Sequence, residues 1–76
     1  MIREFERVVL TRDLPEENLV AGDAGTVVHI YEAGKGYEVE FFSLSGRTLA
    51  VSTVMAEDVR PVGDEDITHA RPRAEA

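Results

Sequence analysis

Read for its apolar and polar positions, the chain falls into short runs with a period of two. Pro15, Gly22, Gly25, Gly34, Gly36, Gly46, Pro61 and Gly63 separate them. The runs are about 4–8 residues long, the length of strands. Nowhere do apolar residues recur at i, i+3, i+4 and i+7 over the roughly 11 residues that a helix requires. The first strand is expected from Phe5 to Thr11, with Val8 and Leu10 alternating against Arg7 and Val9. The second, Gly25 to Tyr31, is dense in β-branched and aromatic residues, which suit a pleated, half-buried surface. The third, Tyr37 to Phe42, alternates cleanly, with Tyr37, Val39 and Phe41 inward and Glu38, Glu40 and Phe42 outward. The fourth, Arg47 to Val54, places Leu49, Val51 and Thr53 on a common face, and a short fifth follows at Val59 to Val62.

The connections set the topology. Ala33-Gly34-Lys35-Gly36 reads as a tight hairpin, because glycine reaches the positive φ such turns need. Ser43-Leu44-Ser45-Gly46 reads as a second, and Ala56-Glu57-Asp58 as one helical turn before the last strand. Asp13 to Ala24 is the single long connection; Leu14 and Leu19 are expected to tuck it over one end of the sheet. Five short antiparallel strands with one inward face each bury a core economically by curling into a small barrel. The expected core is Val8, Leu10, Leu19, Val27, Ile30, Tyr37, Val39, Phe41, Leu49, Val51 and Val59. From Gly63 onward Ile67 is the only large aliphatic residue. Residues 1–62 therefore read as the domain and 63–76 as a flexible polar tail, or as a tail docked through Ile67.

Composition narrows the function. The chain has 76 residues, of which 43% are apolar, so it is one small globular domain. A domain of this size buries only roughly 60% of the surface its unfolded chain exposes, which leaves little room for a deep, walled active site. Cysteine is absent, which removes disulfides, thiolate-ligated zinc and a cysteine nucleophile, and the apolar runs are too short for a membrane span. The charged and apolar residues mixed at the N-terminus do not form a secretory signal. The reading is a cytoplasmic protein. Fifteen acids face eight Lys and Arg, a net charge of −7. Eleven of the fifteen acids lie in residues 1–62, so the acidity belongs to the folded part.

The charge decides between candidate chemistries. Gly22 and Gly25 flank a sharp entry into the second strand and read as structural turn glycines. A phosphate-cradling loop does not fit, because the turn leads into a strand and Asp23 would repel an anion. His29 has no visible partner for general-base work, and Ser43 and Ser45 read as turn formers. Asp13, Glu16, Glu17 and Asp23 crowd one loop without the calcium-loop spacing. No catalytic residue, metal or cofactor is expected. Nucleic-acid binding requires a basic patch, and the global field is of the wrong sign, although Arg3, Arg7, Arg12, Arg47 and Arg60 leave room for a local one. A protein partner fits better. Glu38, Glu40, Glu57 and Asp58 would steer a basic surface, with Phe42 either an aromatic anchor among acids or packed beneath the Leu44 turn.

The segment Val8-Val9-Leu10-Thr11-Arg12-Asp13-Leu14-Pro15, then Leu19, Gly22 to Tyr31 and Tyr37 to Phe41, resembles a family of small bacterial proteins, domain of unknown function 4926. Ala50-Val51 and Asp58 to Val62 extend the resemblance. More loosely, Gly22 to Val27 is similar to the Gly-x-x-Gly-x-Val turn of SH3-like barrels with a KOW-type element. Such barrels occur in the nitrile hydratase β subunit, in the PsaE subunit of photosystem I and in ribosomal and elongation proteins. The resemblance implies an SH3-like barrel and does not choose among those roles. The expectation is an all-β, five-stranded, antiparallel SH3-like barrel, monomeric or weakly dimeric. It would act without catalysis as a protein-interaction module or accessory subunit, for example an immunity- or antitoxin-type protein covering a basic partner. The alternative is a KOW-like RNA- or DNA-binding domain.

Overall fold

The structure, a computed structural model, describes residues 2–73. Five strands form: β1 (Arg7–Leu10), β2 (Ala24–Tyr31), β3 (Gly36–Phe42), β4 (Thr48–Met55) and β5 (Val59–Pro61). All pairings are antiparallel, in one sheet of order β4-β3-β2-β1-β5. Short 3-10 turns occupy Pro15–Glu17, Glu32–Gly34 and Ala56–Asp58, the last being the helical turn expected before the final strand. The ladder does not close: β4 and β5 are its edges. The strand order is compatible with an SH3-like barrel.

One face of the sheet is buried. Ile2, Val8, Leu10, Leu19, Val27, Tyr37, Val39, Phe41, Val54 and Val59 form one cluster, with Leu14, Ile30, Ala50 and Ala56 packed against it. Val54 and Val59 come from the two edge strands and share that cluster, so the sheet curls over its inner face. The long connection is pinned as its leucines require. Leu14 and Leu19 exchange backbone hydrogen bonds of 2.8 and 3.2 Å across a small bridge, and Leu19 drops into the core.

Two irregularities decide which side chains face in. In β2 the register shifts between Val27 and His29, leaving Val28 as an extra residue. A bulge of this kind resets the alternation. Val27 and Ile30, three positions apart, therefore both contribute to the core, and His29 and Tyr31 turn outward. In β4 the expected inward face is the wrong one. Tyr37 opposes Val54, Val39 opposes Ser52 and Phe41 opposes Ala50. Directly opposed residues share a face, so the inward residues of β3 carry Ala50, Ser52 and Val54 inward with them. Val51 is 50% exposed, Thr53 is exposed and Leu49 is only half-buried. The cause is the register at the hairpin, where Phe42 opposes Thr48 and Leu49 is skipped. The inward set is smaller and less apolar than the outward one, which suits the crowded inner side of a curled sheet.

The two glycines at the entry to β2 have different reasons. Gly22 has φ 99°, a left-handed angle that favours glycine. Gly25 lies within β2, and its need is space: a Cβ there would sit 2.6 Å from Val39 Cγ1 and 2.8 Å from the Glu40 carbonyl oxygen.

Beyond β5 the chain has no regular secondary structure through residue 73. Ile67 is exposed, and the contacts to the domain run through arginines instead. Arg60 makes two hydrogen bonds of 2.9 Å to the Asp66 carboxylate. Arg71 pairs with Asp23 and donates to the Asn18 carbonyl, and Arg73 Nε donates to the Glu17 carbonyl at 3.0 Å. Residues 74–76 of the expected tail lie outside the described residues.

Candidate functional site

The outer face of the sheet collects the polar side chains that alternation excludes from the core. Its cross-strand rows are explicit in the register. One row is Arg7, Thr26, Glu40 and Val51; the next is His29, Glu38 and Thr53; a third is Tyr31, Gly36 and Met55. Glu38 Oε1 accepts from the Tyr31 hydroxyl at 3.0 Å and the Thr53 hydroxyl at 2.7 Å. The Thr48 hydroxyl donates to Glu40 Oε2. The His29 ring meets the Tyr31 ring edge-on at 4.6 Å between centroids. The hydrogen bond to Glu38, together with the carboxylate's charge, raises the Tyr31 phenol above its ordinary pKa. The two carboxylates are thus held in place by hydroxyl groups.

The residues singled out by the sequence fall into two neighbourhoods. Glu38 and Glu40 stand together on β3, both half-buried. Phe42, at the end of β3, is also half-buried, and the Arg7 guanidinium lies 5.6 Å from its ring centroid, a cation–π geometry. Glu57 and Asp58 lie in the turn after β4, against the end of β1. The Thr11 amide donates to the Asp58 carbonyl at 2.8 Å and the Thr11 hydroxyl to the Glu57 carbonyl. Asp58 itself is 8% exposed and lies 3.6 Å from an Arg12 guanidinium nitrogen, whereas Glu57 is exposed.

Two of the acids of the long connection, Asp13 and Asp23, serve its backbone. Asp13 Oδ1 accepts from the Ala21 amide at 2.9 Å and Asp23 Oδ2 from the Val20 amide at 2.8 Å. Among the described residues no three metal-ligating side chains converge.

β4 is an edge of eight residues without a charged side chain or a proline. Its outward residues Val51 and Met55 are 50% and 51% exposed. The uncharged run 48–55 is visible in the sequence, but its position at an edge depends on the pairing order.

Residues 4–61 match the family described as Domain of unknown function (DUF4926). The chain belongs to that family. The match runs from just before β1 to the end of β5, so the DUF4926 unit is the five-stranded sheet itself. No curated protein and no solved structure matches the chain. The DUF4926 match covers all five strands.

Proposed function

We propose that this DUF4926 domain is a non-catalytic protein-interaction module or accessory subunit, and that its outer sheet face takes a protein with a basic surface. The observation that carries the reading is the pair Glu38 and Glu40. Both carboxylates are oriented by hydroxyl donors and stand one strand in from an uncharged edge. A carboxylate oriented in this way still has acceptor capacity for an incoming Lys or Arg. The net charge of −7 would speed the encounter with such a partner. An immunity- or antitoxin-type protein covering a basic partner and an accessory subunit on a larger enzyme are two forms this role can take.

The competing reading, a KOW-like nucleic-acid binder, draws on Arg3, Arg7, Arg12, Arg47 and Arg60; of these, Arg12 and Arg60 lean on carboxylates of the chain itself and Arg7 lies over the Phe42 ring. The test is affinity capture with the full chain followed by a binding titration of the recovered partner. Glu38→Lys with Glu40→Lys is expected to weaken that complex by at least about tenfold, as for loss of a charge-complementary contact. An unchanged affinity for the double variant, or salt-dependent retention of RNA in place of a protein, overturns the reading.

A further inference from the structure

The two edges of the sheet differ in kind. β5 has three residues, carries Arg60 and ends at Pro61. These are the devices by which natural sheets protect an edge from strand addition. β4 has none of them: eight residues, Thr48-Leu49-Ala50-Val51-Ser52-Thr53-Val54-Met55, with no charge and no proline, and a regular register from Ala50 to Met55. The Ala56 amide donates to the Lys35 carbonyl at 3.0 Å. Hydrogen-bonded and non-hydrogen-bonded pairs alternate along an antiparallel ladder, so Val54, Ser52 and Ala50 bond to β3. The N–H and C=O groups of Val51, Thr53 and Met55 then point away from the sheet. The same three residues present their side chains on the outer face, so backbone and side-chain recognition coincide there.

We propose that β4 is a strand-addition edge, and that its occupant is an extended segment of a protein partner with Lys or Arg at alternate positions. This inference rests on the reading of the outer face as a protein-binding surface and gives it a binding mode. An added strand lies about 4.8 Å from β4, which puts its outward side chains beside Val51, Thr53 and Met55. From there a long cationic side chain leans across β4 toward Glu38 and Glu40, with its methylene stem on Val51 and Met55. A second copy of the chain is the competing occupant, and charge argues against it. Pairing two β4 edges sets two chains of charge −7 side by side and gives the Glu38 and Glu40 carboxylates no cation. Main-chain pairing supplies affinity in such complexes, and alternate side chains supply specificity.

The test uses the full chain and a synthetic peptide of alternating Lys and Val, with a Glu-Val peptide of the same length as its counterpart, read by amide hydrogen exchange. Saturable binding of the Lys-Val peptide should slow exchange at Val51, Thr53 and Met55, and the Glu-Val peptide should bind at least about tenfold more weakly. Val51→Pro removes one outward N–H, a position where an edge strand tolerates proline. It should weaken the Lys-Val peptide by about tenfold or more, and Val51→Lys, which keeps the backbone intact, should do the same by guarding the edge. Slowed exchange at these amides that depends on protein concentration without peptide would make a second copy the occupant and overturn the proposal. If both Val51 variants bind the peptide normally while Glu38→Lys with Glu40→Lys does not, strand addition is wrong and the acidic face stands. If the recovered partner ignores the Glu variants as well, both readings fall.

Discussion

At the residue scale, two inward positions have opposite effects on the fold. Gly25, in β2, faces Val39, Glu40 and Phe41 of β3 with no room for a side chain. An alanine there must displace a Val39 methyl and a main-chain carbonyl, and the carbonyl cannot move without the ladder. Overpacking of this kind costs about 1–3 kcal/mol, and the backbone clash places Gly25→Ala at or beyond the upper end. Denaturant unfolding checks it, and an unchanged midpoint would show that β2 can shift. Ser52 is the reverse case. Its hydroxyl is buried opposite Val39 with no hydrogen-bond partner. A buried unsatisfied polar group costs about 1–3 kcal/mol, so Ser52→Ala should stabilise the domain by about 1 kcal/mol, read from the same unfolding curves. A loss of stability would mean that the hydroxyl has a partner in solution.

At the element scale, β4 separates what the pattern of residues reveals from what it conceals. Most of the architecture was legible. The runs, the glycine-bearing turns and the alternation of Tyr37, Val39 and Phe41 are local signals, and the five strands follow from them. The facing of β4 was not legible, because hydropathy favours Leu49, Val51 and Thr53, whereas register favours Ala50, Ser52 and Val54. The skipped residue at Leu49 that sets this register belongs to a pairing between strands. The bulge at Val28 has the same origin. The sequence offers Val27, Ile30 and Tyr31 as apolar, and only pairing with β3 shows that the alternation is reset between them. The candidate site was legible to the same degree. Glu38 and Glu40 were found by alternation, whereas the exposed edge beside them required the strand order. The facing of β4 can be checked directly. Val54→Ala removes two buried methyl groups and should cost about 2 kcal/mol. Val51→Ala should stay within about 0.5 kcal/mol of the parent, as exposed substitutions do. The opposite ranking in unfolding experiments would restore the hydropathy-based face.

At the scale of the whole molecule, three of the chain's eight cations, Arg12, Arg60 and Arg71, lie against its own carboxylates. Arg12 lies against Asp58 at the turn before β5, Arg60 against Asp66 just after it, and Arg71 against Asp23 on the long connection. Two of these contacts tie the segment beyond β5 to the domain, a role that low apolar content alone does not foretell. The Arg60 contact can be titrated. Two hydrogen bonds from the guanidinium, with the Gly63 amide as a third donor at 2.6 Å, lower the Asp66 carboxyl from 3.8 to about 2. The folded-state value is the depressed one, so the tether's contribution is fully present above the unfolded value of 3.8. That contribution declines as pH falls below 3.8 and is lost as pH passes through about 2. An NMR titration of the Asp66 carboxyl carbon should therefore show a midpoint near 2, and Arg60→Gln should move it upward, toward 3.8. A parent midpoint near 3.8, or one that Arg60→Gln leaves unmoved, would show that the segment beyond β5 is not tied to the sheet through this pair in solution.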